Sequence, residues 1–181
     1  MKVGEDNIDW DRNWTEVQKN SIYYEDVSFF NYIREYLPSS FKILELGCGV
    51  ALWAQVWMKL HGEYYGIDFS SEAINKARQK FPQCKFILDS VYNMDKFNEK
   101  FDVVFTNTFL QHIKNENKGL IYSKIHSILN NNGLLLTQEK ADVDTPTTMI
   151  KDRHIEFIKK HGFQLVKFEN SGKSGFLFRK V

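Results

Sequence analysis

Proline is scarce in this sequence. Three prolines in 181 residues, with only ten glycines, leave no Pro-rich or Gly/Ser-rich linker to divide the chain. Cysteine is scarcer still. Cys48 and Cys84 make neither a disulfide framework nor a zinc ligand set, so no metal is expected. No apolar run reaches the roughly 18 residues of a membrane span, and the sequence shows no signal peptide. No membrane association is therefore expected, and the cytoplasm is the default location. An excess of one charge is also missing. The net charge is +1, acids and bases are interspersed, and no long basic run occurs. This argues against a primarily electrostatic binder of nucleic acid or membranes.

What is present is ordinary core material. Apolar residues make up 43% and charged residues 26%, as in soluble globular proteins, and 15 Phe and 8 Tyr supply bulky side chains. The length suits one α/β domain with a full core, expected over residues 1–181: an N-terminal helical cap at 1–40 and a core at 41–181. There is no internal repeat. The apolar positions Val27, Phe30, Ile33 and Leu37 predict a helix over Val27–Leu37, ended by Pro38. Strands are predicted at Lys42–Leu46, Glu63–Phe69, Lys85–Leu88, Phe101–Thr106 and Gly133–Gln138. Helices are predicted at Val50–His61 with Gly62 at its end, from Ser70 or Ser71 to about Phe81, at Asn117–Leu129, and at Thr147–His161 closed by Gly162. Asn130-Asn131-Asn132-Gly133 reads as a turn. Phe163–Phe168 and Gly175–Lys180 read as a hairpin about Asn170-Ser171-Gly172. This alternation implies a doubly wound, mostly parallel sheet with helices on both faces and an antiparallel C-terminal pair. In such sheets ligands bind beyond the carboxyl ends of the strands, where strand order reverses.

The residues after each strand therefore carry the chemistry. Gly47-Cys48-Gly49 follows the first strand. Glycines there permit a tight turn and a close ligand approach, although a plain strand-to-helix turn needs them equally. Asp68 ends the second strand, 19 residues after Gly49. It suits two ribose hydroxyls, or else it begins the capping turn Asp68-Phe69-Ser70-Ser71. Asp89-Ser90 follows the third strand, and its carboxylate suits an exocyclic amine or stands in water. Phe69 either packs on an adenine face or joins the core.

Together these segments resemble the class I S-adenosylmethionine (SAM)-dependent methyltransferase family over nearly the whole chain. They are Ile43-Leu44-Glu45-Leu46-Gly47-Cys48-Gly49, Tyr65-Gly66-Ile67-Asp68-Phe69-Ser70 and Phe86-Ile87-Leu88-Asp89-Ser90. Phe101-Asp102-Val103-Val104-Phe105 follows, extended through Thr106-Asn107-Thr108-Phe109-Leu110-Gln111-His112-Ile113, and then Ile128-Leu129-Asn130-Asn131-Asn132-Gly133-Leu134-Leu135-Leu136. The resemblance implies a Rossmann-like sheet of seven strands with the last antiparallel, SAM as cofactor and S-adenosylhomocysteine as product. It implies that Glu45, Gly47, Cys48 and Gly49 line the methionine end of SAM, that Asp68 binds the ribose, and that Phe69, Asp89 and Ser90 frame the adenine. Asn107 and the loop through Gln111 and His112 would lie beside the sulfonium and the acceptor. The N-terminal segment with Trp10, Trp14, Tyr23 and Tyr24 would fold over both, or its aromatics only pack. One departure is Ala51, where the family often has a third glycine; it also breaks the Gly-x-Gly-x-x-Gly dinucleotide pattern.

Methyl transfer from a sulfonium relies on in-line placement and exclusion of water, with a base needed only if the acceptor must lose a proton. His112 is the candidate base, or it holds the loop in shape. Thr106-Asn107-Thr108-Phe109 lacks the Asn-Pro-Pro-Tyr of methyltransferases that act on amide or adenine nitrogens. A small-molecule acceptor is expected, with specificity in the loop Asp142-Val143-Asp144-Thr145-Pro146. The alternatives are a SAM-binding or interaction module without turnover, a nicotinamide-dependent oxidoreductase, and a subunit that needs a partner to act.

Overall fold

A computed structural model describes residues 9, 33–171 and 173–181. Trp10, Trp14, Tyr23, Tyr24 and the first part of the expected Val27–Leu37 helix lie outside the described residues. Within them, Arg34–Tyr36 is a single 3-10 turn, and Leu37 is already extended (φ −82°, ψ 139°). The proline that follows disfavours helical geometry at the residue before it.

Seven strands form one sheet. They are β1 (Phe41–Leu46), β2 (Gly62–Asp68), β3 (Lys85–Leu88), β4 (Phe101–Asn107), β5 (Leu129–Glu139), β6 (Phe163–Ser171) and β7 (Lys173–Lys180), in the order β3-β2-β1-β4-β5-β7-β6. β1 pairs in parallel with β2 on one side and β4 on the other, and Ile43, Leu44 and Leu46 are fully buried. That accounts for its continuous apolar run, since a central parallel strand is covered on both faces. β7 runs antiparallel between β5 and β6. Strand order reverses between β1 and β4, so the crevice beyond their carboxyl ends is the expected ligand position.

Among the described residues four helices cover the sheet: α1 (Ala54–Lys59), α2 (Ser71–Lys80), α3 (Asn115–Ile128) and α4 (Lys151–Lys159). α1 and α2 pack on one face, where Trp57 meets Phe105 edge-on at 5.3 Å among Ile43, Ala77 and Leu136. α3 and α4 pack on the other, where Tyr122, Ile125 and Ile158 meet Leu44, Val104 and Phe176.

Several boundaries differ from expectation. The Val50–His61 helix begins only at Ala54, because Ala51 takes a left-handed φ of 58° and its amide closes a turn on the Cys48 carbonyl. Its end is made by His61, at φ 68°, while Gly62 is already in β2. Gly62 is small for another reason: a Cβ there would lie 2.8 Å from the Phe41 ring. The Thr147–His161 helix is also shorter, because Thr148 donates its amide to the Thr145 hydroxyl and its own hydroxyl to the Val143 carbonyl. Gly162 closes that helix as expected, at φ 85°. β5 starts early, at Leu129, and Asn130–Gly133 bulges out where the register slips between Phe101↔Leu129 and Val103↔Leu134. A 3-10 stretch at Val91–Phe97 had no counterpart in the sequence reading.

Candidate functional site

The turn after β1 is built by its neighbours. The Gly47 and Cys48 amides both donate to the Ile67 carbonyl, at 2.9 and 3.1 Å, tying the turn to the end of β2. Gly47 and Gly49 have φ of 66° and 52°, a region that costs any other L-residue energy. A Cβ on Gly47 would also fall 2.3 Å from the Phe109 ring. The buried Cys48 thiol fills the space beside Gly66, where a Cβ would come within 2.7 Å of it. Cys48 is thus a packed wedge, and burial pushes its thiol up.

Asp68 is buried and holds two amides, from Gly49 to Oδ2 at 2.9 Å and from Ser70 to Oδ1 at 2.8 Å. Ser70 in turn caps α2, its Oγ accepting from the Ala73 amide at 3.2 Å. Asp68 therefore ties the glycine turn to the start of α2. Glu45 lies beside it, 3% exposed, and accepts the Tyr64 hydroxyl at 2.5 Å. Burial pushes the Glu45 carboxyl up to about 8; the Tyr64 hydroxyl pulls it down and the Asp68 charge adds to the rise.

The remaining residues continue along the same sheet end. The Asp89 amide donates to the Asp68 carbonyl at 3.0 Å. Its carboxylate pairs with the Lys96 ammonium and accepts from the Asn93 side chain (2.8 Å) and the Ser90 amide (2.7 Å), so Lys96 first and Asn93 next hold it at about 2. The Ser90 hydroxyl accepts from the Tyr92 amide at 3.4 Å. Phe69 is half-buried, and Asn107 ends β4.

Beyond Asn107 the chain turns sharply. Thr108 has a φ of 50° and donates its amide to the Gln138 carbonyl at 2.8 Å. Leu110–His112 is a 3-10 turn in which the Gln111 amide nitrogen and a His112 ring nitrogen are 3.4 Å apart. Phe109 lies against Gly47, so this turn and the glycine turn abut. The structure thus gathers Glu45, Gly47, Cys48, Gly49, Asp68, Asp89, Ser90, Asn107, Gln111 and His112 at one end of the sheet. Trp14, Tyr23 and Tyr24 lie outside the described residues.

Two buried charged residues went unnoticed in the sequence. Glu139, 2% exposed, ends β5 one residue beyond the expected strand and accepts the Phe109 amide on Oε1 (3.3 Å) and the Gln111 amide on Oε2 (3.4 Å). Lys118, 2% exposed, lies on α3 and donates to the Thr147 carbonyl at 2.7 Å; burial lowers it to about 8 against the opposing Glu139 charge. Asn115 donates its side chain to the Thr145 and Thr148 carbonyls and its backbone amide to that of Pro146. The loop after β5 is thereby fastened to the start of α3. A carboxylate three residues after the apolar run Leu134-Leu135-Leu136 is the available signal. Among the described residues no three His, Cys, Asp or Glu side chains are grouped to hold a metal ion, and no helix is long and apolar enough to cross a membrane.

Residues 43–133 match the family model described as a methyltransferase domain. The ubiquinone/menaquinone biosynthesis C-methyltransferase UbiE of Campylobacter jejuni is 26% identical over 111 residues, 58% of this chain and 46% of its own. The chain spans less than half the length of the first curated relatives it matches, 36% and 46%. Among solved structures, a TehB-like SAM-dependent methyltransferase from Corynebacterium glutamicum superposes with a TM-score of 0.74 at 18% identity, covering 94% of this chain and 98% of that one. Magnesium protoporphyrin IX methyltransferase from Synechocystis PCC 6803, solved with bound SAM, gives 0.74 at 14% identity, covering 94% and 90%. These structures share the seven-stranded fold, mostly parallel with antiparallel C-terminal strands.

Proposed function

We propose, from the premise that this chain belongs to the methyltransferase family, that it transfers the methyl group of SAM to a small-molecule acceptor and releases S-adenosylhomocysteine. The observation that carries this reading is the pair of buried acids beside the glycine turn. Glu45 is held near 8 by burial, and the like charge of Asp68 pushes the same way. Such a site disfavours a second negative charge and favours a cation, because charge interactions are strong where water is excluded. A dinucleotide would bring a pyrophosphate to this turn, whereas SAM brings a sulfonium and an ammonium. The left-handed Ala51 in place of a third glycine points the same way.

The residues fit SAM as follows. Glu45 faces the cationic methionine end, Gly47 and Gly49 let the backbone approach, and Cys48 holds the turn in shape. Asp68 accepts the ribose hydroxyls, while Phe69, Asp89 and Ser90 frame the adenine. The bound cofactor supplies an activated methyl carbon, whose bond to sulfur breaks, leaving the electron pair on sulfur, as the acceptor's lone pair forms the new bond. Asn107, Gln111 and His112 border the acceptor, and His112 takes a proton where the acceptor has one to lose. The fastened loop over residues 142–150 limits acceptor size and polarity. The two free cysteines suit a reducing compartment such as the cytoplasm.

Calorimetry with S-adenosylhomocysteine and with NADH tests the cofactor. Binding of the first and not the second is expected, and the reverse would remove the reading. A panel of small-molecule acceptors, scored by S-adenosylhomocysteine release, separates an enzyme from a binding module. Release with at least one compound is expected, and binding without release anywhere in a broad panel favours the module.

A further inference from the structure

We propose that Glu139 is a positioning residue: its buried carboxylate grips the Phe109 and Gln111 amides and fixes how the turn after β4 presents Asn107, Gln111 and His112. Three observations meet there. First, a carboxylate only 2% exposed is costly to bury unless its acceptor positions are used, and packing alone would favour an apolar residue at that buried position. Its two oxygens are directed one to each amide of a turn that has no strand partner of its own. Second, Thr108 is β-branched yet sits at φ 50°. Such a residue persists only where its surroundings over-determine it. Here consecutive residues of β5 do so, Gln138 through its carbonyl and Glu139 through its side chain. Third, the held turn is not isolated. Phe109 lies against Gly47, so a shift of the turn reaches the glycine turn directly. The Lys118 charge bears on Glu139 and its ammonium holds Thr147, which links the same carboxylate to the loop after β5.

The functional part rests on the methyltransferase reading, while the grip itself does not. Amide hydrogen exchange on the folded, ligand-free chain tests the grip. Glu139→Ala is expected to speed exchange at Phe109 and Gln111 by roughly tenfold, with β1 and β3 amides unchanged. Glu139→Gln, which keeps one acceptor oxygen, is expected to fall between and covers the case of an unfolded alanine variant. Unchanged exchange at those two amides in a folded variant overturns the proposal. Using the panel compound that the wild type methylates, kcat for Glu139→Ala is expected to drop roughly ten- to a hundredfold. The S-adenosylhomocysteine Kd should weaken by less than kcat falls, since the turn reaches the glycine turn only through Phe109, and Glu139→Gln should restore part of the rate. A lower Tm with kcat intact shows a structural role only and overturns it too. If the wild type binds no S-adenosylhomocysteine, the cofactor reading fails, and the exchange result still decides the grip.

Discussion

Asp68 holds two backbone amides with one carboxylate, so its loss should be felt twice. Replacing it with alanine removes the acceptors proposed for the ribose, and S-adenosylhomocysteine affinity is expected to fall by about 1–3 kcal/mol in calorimetry. It also leaves the Gly49 and Ser70 amides without their carboxylate, which urea denaturation should register as a loss of similar size. Asp68→Asn keeps one acceptor oxygen and is expected to recover more stability than affinity. Unchanged affinity in a folded variant would remove the ribose assignment. Gly47→Ala is a cleaner steric test. The new Cβ would meet the Phe109 ring in a backbone region that costs about 1–2 kcal/mol for an L-residue, so unfolding free energy should drop by at least that much. At this scale the spacing from the glycines singles out Asp68, and the family resemblance singles out Glu45. The sequence hid Phe109 and Glu139, whose roles depend on β5 lying beside β4. Nothing local in the chain states that pairing.

Elements were legible where one rule governed them. Ser70 or Ser71 is expected as a helix cap, and it is the Ser70 Oγ that accepts the Ala73 amide. Ser70→Ala is therefore expected to cost about 1 kcal/mol in urea denaturation, with the sheet intact by circular dichroism. The parallel strands were readable as short apolar runs because both their faces are covered. Boundaries failed where a residue adopts a conformation its type does not announce. Ala51 and His61 are left-handed without being glycine, which shortens α1 at its start and moves its end off Gly62. The threonine turn at Thr145–Thr148 delays α4, because hydroxyls there compete with the helix for amides. Asn130–Gly133, expected as a turn, is instead a bulge within β5, where Asn132 takes a left-handed φ of 61°.

For the whole molecule, the buried titratable groups set a pH dependence of stability. Glu45 titrates near 8 in the folded chain and near 4.3 once unfolded. Between those values the unfolded chain has lost a proton that the folded chain keeps, so stability falls as pH rises and levels off above 8. Glu139, also pushed up by burial, acts in the same direction. His154, lowered to about 4 by burial and then by the Lys118 charge, acts oppositely. Between 4 and about 6.5 the unfolded chain takes a proton that the folded chain refuses, so stability rises with pH. The terms oppose each other below about 6.5, and above it Glu45 dominates until Lys118 begins to titrate near 8. Tm is thus expected to fall from pH 6.5 to 8, with Glu45→Gln flattening the slope by up to about 1.4 kcal/mol per pH unit. A Glu45→Gln curve parallel to the wild type would contradict this. The placement of β7 inside β6 has a consequence in time. Among the described residues β6 pairs with β7 alone, so its place in the sheet depends on residues 173–180. During folding, Leu134–Glu139 therefore keeps an unpaired edge until β7 is in place, and the hairpin docks as a finished unit.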